Sequence, residues 1–314
     1  MAAGEQRAEK FFYNIRKYDI MNTRKPNAFS GEEELVAEFE DILLTVDYDR
    51  TLTAPNATIP PRNLEAIRYF MEHGGIFTVN TGRTVASAGC FIGRVPINAP
   101  LLLYNGSAAY DPDTEDFLFV HEIQLDWKDV KKRILAQFPS VFFEYQGAKA
   151  HYMFREHPVW PQFCASNGIP WAYAAKDDDL GPFLKFCVYG RLSEPTVDHL
   201  FNGTAEEIAF MEEVERWLMR EFGEFCVITR SADLYIDVQP KGVSKGESAR
   251  RLKEMLGRKV LVCIGDAEND VSMLDDADFA FCPNDADIKD RYPNVCGCAD
   301  GAVADLIYNI IPKL

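Results

Sequence analysis

Two short segments constrain this chain more than anything else in it. Residues 42–46, Ile-Leu-Leu-Thr-Val, and 260–264, Val-Leu-Val-Cys-Ile, are apolar almost throughout, without the alternation of a strand that has one wet face. Strands of that kind are buried on both faces, so they belong in a parallel sheet covered by helices. The intervening sequence agrees. Pro60-Pro61 opens a helix that presents Leu64, Ile67 and Phe70/Met71 inward and stops at His73-Gly74-Gly75. A strand at 76–79, a helix over 85–92 and a strand at 101–104 complete the rhythm of a doubly wound α/β domain.

At Asn105 the rhythm changes. Segments 108–110 and 117–123 flank Asp111-Pro112-Asp113-Thr114 and read as a hairpin. There follow a helix at 126–138, strands at 141–145, 151–154 and 183–189, a helix at 204–222 and strands at 225–229 and 234–238, an antiparallel α+β unit. The α/β pattern then resumes with a helix at 244–256, the strand 260–264, a helix after Glu268, a strand at 279–281 and a terminal helix at 302–311. The expected architecture is therefore α/β: a doubly wound, Rossmann-like parallel-sheet core at 41–110 and 239–314, with an inserted α+β cap domain at 111–238. Residues 1–40 carry Phe11, Phe12, Ile15 and Tyr18 at roughly helical spacing and are expected to form a helical extension. A length of 314 residues suits two domains.

Charge narrows the function. Lys and Arg number 33 against 49 Asp and Glu, a net of −16, which argues against nucleic acid or an anionic membrane as partner. A small phosphorylated ligand held in a local basic site stays open. No stretch nears the ~20 apolar residues of a membrane span, and no signal peptide is readable. The eight cysteines are scattered rather than densely spaced, which fits a reducing cytoplasm. Cys296-Gly-Cys298 is too closely spaced, and too far in sequence from any His, to read as a zinc site.

In an open parallel sheet the ligand lies beyond the carboxyl ends of the strands, so the residues that follow each apolar run carry the chemistry. After the first comes Asp47-Tyr48-Asp49-Arg50-Thr51, two carboxylates of which one can attack and the other move protons. After the second comes Asn80-Thr81-Gly82-Arg83, whose hydroxyl and backbone amides can hold a phosphate. Gly265-Asp266-Ala267-Glu268-Asn269-Asp270 is a turn suited to a hard cation, and Gly242-Val243-Ser244-Lys245-Gly246 sets one lysine at a helix start. Each alone has a plainer reading: a solvated turn, a common loop, a surface lysine, a helix cap. Their joint placement at one edge of one sheet favours a site.

These motifs resemble those of the haloacid dehalogenase-like phosphatases, and within them the Cof-type branch, whose large cap lies between the second and third motifs. Leu102-Leu103-Tyr104-Asn105-Gly106-Ser107 is similar to that branch's strand-plus-Asn-Gly signature before the cap. The resemblance covers residue 41 to the C-terminus, with the cap matching in layout rather than in residues. It implies Asp47 as nucleophile and Asp49 as general acid and base, with Lys245 as the third catalytic group. Thr81, Gly82, Lys245 and Asn269 would bind phosphate. Mg²⁺ would be held by Asp47, Asp49 through its backbone carbonyl, Asp266 and Asp270. The implied cap would exclude water and choose the substrate. One departure is Arg50, where the family usually has Gly; a turn that needs a left-handed residue there would be strained.

The expected activity is Mg²⁺-dependent hydrolysis of a small phosphorylated metabolite, a sugar phosphate among the candidates, through an aspartyl-phosphate. The alternatives are a phosphosugar mutase-like phosphotransferase, which Thr81-Gly82-Arg83 disfavours, and a non-catalytic binding or regulatory protein that kept the fold. Aromatic residues at 145–154 and 160–173 suit a sugar ring or a flat cofactor, but aromatics on strands are more often core.

Overall fold

The computed structural model describes residues 38–175 and 178–314; the helix expected around Phe11–Tyr18 lies outside them. By internal contacts the described chain forms two units. The first comprises residues 38–81, 93–118 and 244–314, the second residues 82–92 and 119–243.

The first unit is built on a five-stranded sheet. Strands β1 (Ile42–Val46), β2 (Ile76–Val79), β12 (Val260–Ile264), β13 (Phe279–Pro283) and β14 (Asn294–Val295), numbered along the chain, lie in the order β14-β13-β12-β1-β2. Every pairing is parallel. Leu43, Leu44, Val46, Val262 and Ile264 are buried, as two-sided coverage requires. Register does the decisive work: Val46 pairs with Ile264 on one side and Val79 on the other, so the segments leaving these strands emerge at one edge. Strands β3 (Leu101–Leu103), β4 (Ala108–Asp111) and β5 (Asp116–Val120) form a separate three-stranded sheet, joined to the end of β2 by an Asn80–Leu102 bridge.

The helix Pro61–Glu72 begins with Pro at its first turn and buries Asn63, Ala66, Ile67 and Phe70, while Leu64 and Met71 are only half-buried. The stripe is turned from its expected position because Asn63 is anchored inside. It donates to the Leu52 carbonyl at 3.1 Å and accepts from the Ala304 amide at 2.9 Å. The expected terminal helix is shorter. It is regular only over Ala302–Asp305, widens over Leu306–Ile310 and tightens over Ile311–Lys313, where Pro312 has no N–H to continue it. Likewise the helix expected over 85–92 spans Val85–Ala88, capped by a reciprocal Thr84–Ser87 pair.

The second unit carries strands β6 (Phe142–Gln146), β7 (His151–Met153), β8 (Trp171–Tyr173), β9 (Phe186–Tyr189), β10 (Cys226–Ala232) and β11 (Tyr235–Pro240) in the order β10-β11-β9-β6-β7-β8. All pairings are antiparallel except β7 with β8. Helices Trp127–Gln137 and Ala205–Phe222 supply Val130, Ile134, Met211, Val214 and Leu218 to a core with Phe143, Phe186 and Ile236 of the sheet. Beside Met153, Trp160 and Tyr189 lies Glu144, fully buried. Its carboxylate accepts from Trp160 Nε1 (2.7 Å), Gln146 Nε2 (2.8 Å) and Tyr189 OH (3.0 Å) and meets His151 Nδ1 at 3.1 Å. The other ring nitrogen of His151 is 2.9 Å from the Thr84 hydroxyl. Cys164 lies close enough for Glu144, His151 and Cys164 to surround a metal, but a carboxylate encircled by donors is a satisfied polar network. Trp160 is core, whereas Trp171 and Tyr173 on the edge strand are 38% and 45% exposed.

No helix among the described residues is long and apolar enough to cross a membrane.

Candidate active site

Asp47 is the first residue beyond β1, and its amide donates to the Ile264 carbonyl at 3.0 Å. The chain then makes a wide turn over Tyr48–Leu52, closed by Leu52 N–H to the Asp47 carbonyl at 3.2 Å. To make that turn Arg50 adopts φ 59°, ψ 10°. The turn does need a left-handed residue at the position singled out in the sequence, and an arginine occupies it at a cost of about 1 kcal/mol relative to glycine. Its guanidinium lies 3.6 Å from Asp287 in a largely exposed pair.

Lys245 opens the helix Lys245–Met255, which Ser244 caps by accepting from the Glu247 amide. Its ammonium is buried and sits 2.6 Å from both Asp47 Oδ1 and Asp270 Oδ1. The second oxygen of Asp270 accepts from the amides of Asp266 and Ala267, each at 3.0 Å. Asp266 accepts from the Thr51 hydroxyl at 2.9 Å. Carboxylate oxygens of Asp47, Asp266 and Asp270 lie within 4.8 Å of one another. Thr81 is buried just beyond β2, its amide donating to the Leu102 carbonyl at 2.9 Å. Gly82, next in the chain, opens the 82–92 segment of the second unit and is half-buried. Asn269 is exposed and donates to Asn105 Oδ1 at 3.3 Å. The Asp49 carboxylate does not join the buried acidic group and stands exposed.

Electrostatics follow from this crowding. Burial pushes Asp47 well above the ordinary carboxylate range; Lys245 pulls it down, while Asp270 and Asp266 push it up again. Asp266 is raised to about 6 by burial first and Asp270 second. Burial works against the charge on Lys245, yet Asp270 and Asp47 hold its ammonium above its usual range. Two buried carboxylates thus pair with the buried Lys245 ammonium, and a third, Asp266, stands beside them. An all-oxygen donor set with surplus negative charge fits a hard divalent cation.

Several supporting residues carried no individual signal in the sequence. Asn80, fully buried, donates its side-chain amide to the Lys245 carbonyl at 2.9 Å, and Ser248 donates its hydroxyl to the same oxygen at 2.9 Å. Gly246 lets the helix approach its neighbour, since a Cβ there would fall 2.1 Å from the Ser272 carbonyl oxygen. An asparagine directly beyond a strand was the available hint for Asn80, and Thr51 lay inside the first motif. On the same sheet edge, just beyond β13, the Cys298 thiol donates to Asp285 at 3.3 Å.

The chain is similar to known proteins over most of its length. A profile of haloacid dehalogenase-like hydrolases matches residues 44–298. Pyridoxal phosphate phosphatase YbhA of Escherichia coli is 24% identical over 277 residues, covering 85% of this chain and 97% of its own. HMP-PP phosphatase of Serratia proteamaculans is 24% identical over 236 residues, 74% and 80% respectively. Among solved structures, a haloacid dehalogenase-like hydrolase from Bacteroides thetaiotaomicron superposes with a TM-score of 0.72 at 18% identity, covering 85% of this chain and 98% of that one.

Proposed function

Because the chain belongs to the haloacid dehalogenase-like hydrolases, in their Cof-type phosphatase branch, we propose that it is a Mg²⁺-dependent phosphomonoesterase working through an aspartyl-phosphate on Asp47. The observation that carries this reading is the buried Lys245 ammonium, 2.6 Å from Asp47 at the sheet edge where Thr81 and Asp266 also emerge. An anionic nucleophile approaches an anionic ester only with positive charge between them. Lys245 supplies part of it, and Mg²⁺ held by Asp47, the Asp49 carbonyl, Asp266 and Asp270 would supply the rest as a Lewis acid.

An oxygen of Asp47 attacks phosphorus, and the bond to the ester oxygen breaks. Asp49, exposed and outside the buried acidic group, donates a proton to that departing oxygen. Asp49 then takes a proton from water, which attacks the phosphorus, frees inorganic phosphate and restores Asp47. Thr81 contributes its hydroxyl, Gly82 its amide and Asn269 its side chain to the phosphoryl oxygens. The substrate class we propose is a small phosphorylated metabolite; the two named relatives, a pyridoxal phosphate phosphatase and an HMP-PP phosphatase, support it, and sugar phosphates belong in the same screen. All eight cysteines are unpaired, in agreement with the cytoplasmic location we propose.

The test is a phosphate-release screen over phosphorylated metabolites with Mg²⁺ and with chelator. Release of inorganic phosphate that chelator abolishes supports the reading. An isomerised ester without release would favour a phosphotransferase, and no turnover on any ester a non-catalytic protein.

A further inference from the structure

Three consecutive residues between β3 and β4 have left-handed backbones: Tyr104 at φ 55°, Asn105 at φ 54° and Gly106 at φ 97°. Only the glycine is at ease there. Asparagine tolerates the region, and a buried tyrosine adopts it only where its surroundings hold it. Strain of this kind asks what the turn achieves. The Asn105 amide donates to the Thr81 carbonyl at 3.1 Å, gripping the loop beyond β2. The Asn105 side-chain oxygen accepts from Asn269 at 3.3 Å, in the acidic loop beyond β12. Gly106 passes so near the residue before Lys245 that a Cβ would stand 2.1 Å from the Ser244 carbonyl oxygen. One turn therefore touches the three segments that carry Thr81, Lys245 and Asn269.

We infer that Asn105 is a positioning residue: its carboxamide fixes the rotamer of Asn269 while its backbone fixes Thr81, so that both meet one phosphoryl group. The inference rests on the phosphatase reading of the site. A side-chain amide free to rotate spends part of its time turned from its ligand; one N–H committed to Asn105 orients the other. The effect belongs to the side chain, and the left-handed backbone is what delivers it.

The substitution that separates the two is Asn105→Gly, which keeps the left-handed turn without strain and removes the carboxamide. Asn105→Gly, Asn269→Ala and the double variant form a cycle with wild type, read as kcat, KM and thermal midpoint. Asn105→Gly should melt at or above wild type and lose about three- to tenfold in kcat/KM, with no further loss in the Asn269→Ala background. Wild-type kcat/KM in Asn105→Gly, equal losses in both backgrounds, or a lowered midpoint would overturn the inference. Calorimetric titration of the four proteins with inorganic phosphate and Mg²⁺ keeps the underlying reading apart. An inactive wild type whose phosphate affinity shows the same coupling defeats the phosphatase reading alone; phosphate affinity without coupling, or no phosphate binding, defeats the positioning role.

Discussion

The Lys245 ammonium lies 2.6 Å from the Asp47 carboxylate across 198 residues of sequence, and both are buried. Parallel register of β1 with β12 and the Asn80 anchor on the Lys245 carbonyl hold the two together. Replacing Lys245 by Ala should lower turnover by roughly 10²-fold or more, the scale of losing one preorganised electrostatic partner. Steady-state rates decide it, and wild-type turnover would reduce the lysine to a structural counter-ion.

The two aspartates of the first motif should part company under mutation. Asp47→Asn should abolish both turnover and covalent labelling, because an amide is a poor nucleophile and a poorer cation ligand. Asp49→Asn, given an activated aryl phosphate, should still form the adduct and then hydrolyse it slowly. Rapid quench with intact-mass analysis and peptide mapping should find a phosphoryl group on Asp47; a label on another residue would overturn the assignment.

Cation binding should release protons. Without a cation Asp47 is held well above the usual carboxylate range and Asp266 near 6, so near neutral pH the group carries protons that a cation must displace. Affinity should therefore rise with pH from about 6 upward. Calorimetric titration with Mg²⁺ in two buffers of different ionisation enthalpy measures the release, and identical heats in both would count against this charge state.

Arg50→Gly should stabilise the protein by about 1 kcal/mol, since glycine adopts φ 59° freely. The exposed pair with Asp287 that is lost contributes little. Urea denaturation reports the difference, and a destabilised variant would mean that Arg50 holds the turn through contacts beyond that pair.

Acid should weaken the second unit in two stages. Burial holds His157 neutral, moving its pKa from 6.5 to about 4, and its Nδ1 accepts from the amides of Val159 and Trp160. The unfolded chain takes up that proton first, so this stability is full above pH 6.5 and lost as pH falls toward 4. Burial alone would raise Glu144, but His151 and the Gln146 and Trp160 hydrogen bonds outweigh it and bring it from 4.5 to about 2. Its contribution is present above 4.5 and lost on falling toward 2. His157→Asn, which can still accept those amides, should flatten the upper stage in a stability profile against pH; an unchanged slope there would exclude His157 as its source.

Much of this protein was already determined along the chain. Nearly continuous apolar runs at 42–46 and 260–264 dictate two-sided burial, and two-sided burial dictates a parallel sheet. Asp47 follows its strand directly, and Thr81 and Asp266 follow theirs after one residue, so placing the strands placed the residues. What tertiary structure alone decided concerns side chains whose partners are remote in sequence. Asn63 turns the inner face of its helix because Leu52 and Ala304 meet it there. Trp160 is buried because its indole N–H reaches Glu144, whereas Trp171 lies on an edge strand and stays partly exposed. Asn80 and Asn105 sit in motifs legible in the sequence, but only the fold brings their partners Lys245 and Asn269 beside them. A strand's burial is written in its own period of residues, but a hydrogen bond between segments more than 150 residues apart exists only once the sheet has closed the distance.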